Sequence, residues 1–125
     1  MRDPQPTTVL LCRIAGCLSL LAILIVSVVP SELRPQVLAD KHIEHFAAYL
    51  IAGSLLALGW RRHRQVLLSA AALAACSAVL EIIQLWVPGR TSSVADFLAS
   101  TSGAWAGLVL IHVFWNLRGT PRNAA

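Results

Sequence analysis

Four apolar runs separated by short polar segments dominate the pattern of this chain. They occupy positions 9–29, 46–60, 66–87 and 97–117. The first, third and fourth reach the roughly 20 residues that a helix needs to cross about 30 Å of hydrocarbon. The second is shorter, and the polar stretch from His42 to His45 serves as an outer turn that extends it back to about position 43. The pattern predicts an all-α membrane protein, a single transmembrane domain over 1–125. Its helices span about 9–29, 43–60, 66–87 and 97–117.

Composition agrees. Hydrophobic residues make up 57% of the chain and mean hydropathy is +0.69, while only 13% of residues are charged. Soluble domains carry about twice that charged share. The formal net charge of +4 and pI of 9.6 raise the question of nucleic acid. The basic residues answer it, because they stand at the ends of the runs and form no patch with interleaved aromatics. The partner they imply is membrane lipid, with no nucleic acid.

Their distribution also orients the bundle. Arg2, Arg13, Arg61, Arg62, Arg64, Arg118 and Arg122 fall on one side, with Arg13 snorkelling from the first run; Arg34, Lys41 and Arg90 fall on the other. The positive-inside rule places both termini and the 61–65 connection in the cytoplasm, with 30–45 and 88–96 facing outward. Trp60 and Trp115 suit the inner interface and Trp86 the outer one, while Trp105 reads as a packing residue. Acidic residues show the opposite bias. Asp3 alone is cytoplasmic, and Glu32, Asp40, Glu44, Glu81 and Asp96 gather on or near the outer side. Acidic residues hardly influence topology, so that bias needs another cause.

The first run is too long for a signal peptide and no small-residue cleavage site follows it. Ile14-Ala15-Gly16-Cys17 looks like a lipoprotein box, but the apolar run continues well past Cys17, so it is expected to stay as a helix. Cys12, Cys17 and Cys76 offer neither a disulfide framework nor a metal pattern. No cofactor is expected, and no ligand spacing is diagnostic of a metal. Ala99, Gly103 and Gly107, Ala70, Ala74 and Ala78, and Gly53 with Ala57 give small-residue faces suited to close helix packing.

The polar residues collect at the outer ends of the last three helices. Asp40, Lys41, Glu44 and His45 lead into the second. Glu81 and Gln84 lie three residues apart on one face of the third, followed by Pro88-Gly89 and Arg90, and Asp96 opens the fourth. An intramembrane carboxylate such as Glu81 is costly unless partnered and marks a functional site by default. Arg90 or Lys41 is expected to neutralise it, and His45 to hydrogen-bond it. Each residue also has a plainer role. Asp96 suits a helix cap, Arg90 suits lipid phosphate, and Glu81 suits an ion pair that sets helix register.

Four blocks together resemble the VanZ-like family of small bacterial membrane proteins. They are Asp40-Lys41-His42-Ile43-Glu44-His45-Phe46-Ala47-Ala48-Tyr49, Glu81-Ile82-Ile83-Gln84, Pro88-Gly89-Arg90-Thr91, and Asp96 with Gly103 and Gly107. The resemblance covers about 38–110. It departs at Ser100, where the family pattern has asparagine, and in the spacing from Asp40-Lys41 to His45, which is one residue longer. It implies a multi-pass protein of the bacterial cytoplasmic (inner) membrane and cell envelope, in a family named for resistance to a glycopeptide antibiotic.

The leading expectation is an outward-facing polar pocket of Asp40, Lys41, His45, Glu81, Gln84, Arg90 and Asp96. Such a pocket would bind a lipid headgroup, a lipid-linked cell-wall precursor or a glycolipid, or affect glycopeptide susceptibility. Two alternatives stay open. One is a membrane-embedded enzyme acting on a lipid-linked substrate at the outer face, with Glu81 or Asp96 as base, His45 as acid or base and Arg90 on phosphate. The other is a structural helper subunit of a membrane complex. The residues set neither a catalytic assignment nor an oligomeric state.

Overall fold

The computed structural model describes residues 5–119 and contains four helices and no strand among them. The helices are α1 (Pro6–Val28), α2 (Lys41–Gly59), α3 (His63–Gln84) and α4 (Val94–Leu117), with a 3-10 turn at Ser31–Leu33. Helices α1, α3 and α4 are long and apolar enough to cross a membrane. The polar first turn expected of the second helix is present, since α2 starts at Lys41, and those polar residues keep α2 out of that class. Arg2, Asp3 and Arg122 lie outside the described residues.

Helix ends follow local chemistry more closely than hydropathy. Helix α3 stops at Gln84, three residues before the apolar run ends, and the backbone then turns through Gly89 at φ +71. That left-handed conformation is open to glycine and strained for a β-carbon. Ser93, not Asp96, caps α4, its hydroxyl accepting from the Asp96 amide at 3.1 Å. At α2 the cap is Asp40, whose Oδ1 accepts from the His42 and Ile43 amides at 2.8 and 3.3 Å. Ser93→Ala is expected to lower stability by about 1 kcal/mol, the usual cost of a lost N-cap. Thermal unfolding by circular dichroism in detergent checks it, and an unchanged midpoint refutes the capping role.

Successive helices run antiparallel, so α2 and α4 run parallel, and these two form the tightest pair in the bundle. Their seam is glycine against backbone. A β-carbon on Gly53 would collide with the Ala104 carbonyl, one on Gly103 with the Phe46 carbonyl, and one on Gly107 with the Leu50 carbonyl. Lipid provides no hydrophobic drive between helices, so this close approach is what the small residues contribute. Tyr49, Leu56, Leu73, Ala104 and Leu108 complete the core. On α3 the buried face runs through Leu73, Ser77, Leu80 and Glu81, with Ala70, Ala74 and Ala78 half-buried at its margin.

Helix α1 is the outlier. Only Gly16 and Ser27 are buried along it, and polar contacts near its two ends tie it down. Arg13 does not snorkel freely. Its Nε donates to the Gly59 carbonyl at the end of α2 (2.9 Å), and its guanidinium lies 5.4 Å from the Trp60 ring. At the same end Arg61 stacks 3.9 Å over Trp115. Trp105 is half-exposed on α4 and donates from Nε1 to the Ala70 carbonyl of α3 at 3.2 Å.

Candidate functional site

The end of the bundle opposite Arg13 and Trp60 gathers the polar residues into two adjoining groups. The first lies where α2, α3 and α4 meet. Asp96 is buried at 1% exposure on the first turn of α4, where the positive end of the helix dipole favours a carboxylate. Lys41 Nζ sits 2.6 Å from Asp96 Oδ2 and also donates to the Thr91 carbonyl at 2.6 Å. The half-exposed His42 places Nδ1 3.0 Å from Asp96 Oδ1. His45, one turn further along α2, has Nδ1 3.2 Å from Ser100 Oγ.

Glu81 is buried on α3, and its Oε2 accepts from Ser92 Oγ at 3.1 Å and from the Ser93 amide at 3.0 Å. Neither expected cation pairs with it directly, since Lys41 is committed to Asp96 and Arg90 turns elsewhere. A donor atom from each of His45, Glu81 and Asp96 lies within 4.8 Å of the other two.

The second group lies between α1 and α3. Pro30 has no amide hydrogen, so the Val26 carbonyl at the end of α1 loses its ordinary partner four residues on. Arg90 supplies the deficit: its Nη2 donates to the Val26 carbonyl and its Nε to the Val29 carbonyl at 3.0 Å. Gln84 Nε2 reaches the Ser27 carbonyl at 3.4 Å. Two of the predicted site residues therefore cap the end of α1. Beside them Arg34 pairs with Glu44, whose other oxygen accepts from the Val37 and Leu38 amides at 2.8 Å each.

These groups border a cleft of about 220 Å³. Arg34, Arg90, Glu44, His45 and Gln84 line its polar part, and Ala22, Ile23, Val26 and Ala48 its apolar part. Burial and the neighbouring Arg34 guanidinium pull the Arg90 pKa down from its ordinary value, against the opposing pull of Glu44 and Glu81. Glu44 balances one of the two guanidiniums in this cleft, which leaves one net positive charge for an anion to meet.

Of the residues expected at the site, Lys41, His45, Glu81 and Asp96 converge in the first group. Arg90 and Gln84 stand in the second, with His45 shared between them. Asp40 joins neither, being occupied as the α2 cap. Arg34 and Glu44 on the cleft wall, and Ser92, Ser93 and Ser100 on the carboxylates and imidazole, were not singled out as site residues from sequence. The pairing of Arg34 with Glu44 depends on the path of the 30–40 segment, for which hydropathy carries no signal. Ser93 had a readable one: a serine just before an apolar helical run is a standard N-cap.

Helices able to cross a bilayer, with charged groups buried at one end of their bundle, define a polytopic α-helical membrane protein. The family model described as VanZ/LLP1 matches residues 16–115, and the chain belongs to that family. The match takes in most of α1, which the resemblance read from the blocks left outside. No curated protein and no solved structure matches the chain.

Proposed function

We propose that this is a cell-envelope protein of the bacterial inner membrane that binds the anionic headgroup of a lipid or lipid-linked cell-wall precursor. Charge asymmetry supports an orientation with the polar end outward. The observation that carries the reading is the cleft, which joins two guanidiniums to an apolar wall in the manner of an amphiphile's own division. Arg34 takes the place first given to Lys41, since Arg34 lines the cleft and Lys41 does not. Any effect on glycopeptide susceptibility would follow from occupancy of this cleft by a cell-wall precursor.

The test is lipid retention by the purified full chain, measured by native mass spectrometry with phosphatidylglycerol against phosphatidylcholine. Wild type is expected to favour the anionic lipid. Arg34→Gln is expected to weaken that preference about tenfold, equal to about 1.4 kcal/mol, in line with one lost charge-assisted hydrogen bond. Equal retention of both lipids by wild type refutes the reading.

A second reading, an enzyme acting on a lipid-linked substrate, is favoured by one feature. His45 borders the cleft and adjoins both buried carboxylates, the position from which a side chain would move a proton. Turnover of a lipid-linked precursor by wild type, lost in His45→Ala, would establish it.

A further inference from the structure

His45, Glu81 and Asp96 come from three different helices, and their donor atoms converge within 4.8 Å. The convergence leaves a deficit that the protein's own groups do not fill. Among the described residues His45 Nε2 and Asp96 Oδ1 are buried without a hydrogen bond of good geometry, and so is Gln84 Oε1, one turn beyond Glu81. Asp96 and Gln84 are each only 1% exposed. Asp96 Oδ1 has His42 Nδ1 at 3.0 Å, but that ring is half-exposed and attracts the carboxylate as a charge only when protonated. A buried polar group left unpaired loses its hydration without replacement.

Charge points the same way. Two buried carboxylates lie next to each other, and Lys41 balances one of them. Both hydrogen bonds to Glu81 fall on Oε2 and come from neutral donors. Arg90, whose charge Glu81 also attracts, spends Nε and Nη2 on the carbonyls that end α1. The remaining acceptors are an imidazole nitrogen and carboxylate oxygens. That donor set suits a divalent first-row transition ion of the zinc class better than magnesium or calcium, which favour oxygen alone.

We infer that His45, Glu81 and Asp96 form a binding site for one divalent transition-metal ion of the zinc class. His45 would ligate through Nε2. Its Nδ1 meets Ser100 Oγ, and a proton on Nδ1 leaves the Nε2 lone pair free, as second-shell partners of metal-bound histidines usually arrange. Asp96 would use Oδ1 while Lys41 retains Oδ2. Ligand atoms around a tetrahedral zinc stand about 3.3 Å apart, so a contraction of about 1.5 Å from the observed spread completes the site. Three protein ligands leave a coordination position for an exogenous group. The site does not depend on lipid binding, although His45 also borders the cleft.

The experiment uses the full chain purified in detergent and freed of metal with chelator, then titrated with Zn²⁺ or Co²⁺. About one zinc per chain is expected by elemental analysis, together with a raised melting temperature. Visible absorption bands of bound Co²⁺ are expected to show nitrogen and oxygen ligation without thiolate. His45→Gln and Glu81→Gln are each expected to weaken binding more than about 100-fold, beyond the cost of losing a second-shell partner, while keeping the helical spectrum. His63 and His112 form a separate ring pair at 5.7 Å, so the double substitution His63→Ala/His112→Ala must retain the ion. Binding that survives His45→Gln, or vanishes with the His63/His112 pair, overturns the inference. So does failure of the wild-type chain to take up stoichiometric metal.

Discussion

Asp96→Ala is expected to lower the unfolding free energy of the bundle by about 3 kcal/mol, the low end of the range for breaking a buried ion pair. The low end applies because Lys41 keeps 29% of its side chain exposed and regains some hydration, whereas Asp96 is 1% exposed. The loss is mostly the stranded ammonium, so Lys41→Ala added to Asp96→Ala should recover part of the stability. Unfolding followed by circular dichroism in mixed detergent, run on both single variants and the double, gives the coupling. Additive single effects would show that the pair contributes nothing.

The second large effect belongs to the α2–α4 seam. Gly103→Val is expected to cost about 3 kcal/mol or more, at or beyond the upper end of ordinary overpacking. The new side chain would meet the backbone carbonyl of Phe46, and a backbone cannot rotate aside as a side chain does. The helices must separate, and Gly53 and Gly107 would then lose their own contacts. Ala106→Val, on the exposed face of α4, is the control and should stay within about 0.5 kcal/mol. Equal midpoints for the two variants would refute the seam.

Much of this arrangement was legible before any coordinates. Hydropathy located α1, α3 and α4 because a helix that crosses lipid must be long and apolar along most of its length. The small residues Gly53, Gly103 and Gly107 announced close packing, although only the structure shows them on one seam. The polar residues were found to cluster at one end for the same reason that made them visible: each is expensive in lipid. What stayed hidden was how they pair. Lys41 chose Asp96, and Arg90 chose the carbonyls at the end of α1, leaving Glu81 to two serines. The Arg90 contacts follow from Pro30 removing a donor and from the turn at Gly89 that leads into Arg90. Neither effect has a hydropathy signature.

The short polar start of α2 has a consequence for how the protein is made. A segment carrying Lys41 and Glu44 in its first turn gains little by entering lipid alone. The groups that offset this cost are Asp96, which holds Lys41, and the glycine face of α4, and both are synthesised after α2. Synthesis at about 5–20 residues per second leaves an interval of seconds in which α2 has α1 beside it but lacks α4, its main partner. During that interval α2 would wait beside α1, and the arrival of α4 would complete its packing in the bundle. The salt bridge and the glycine seam are then steps in the assembly of the molecule as well as supports of its finished form.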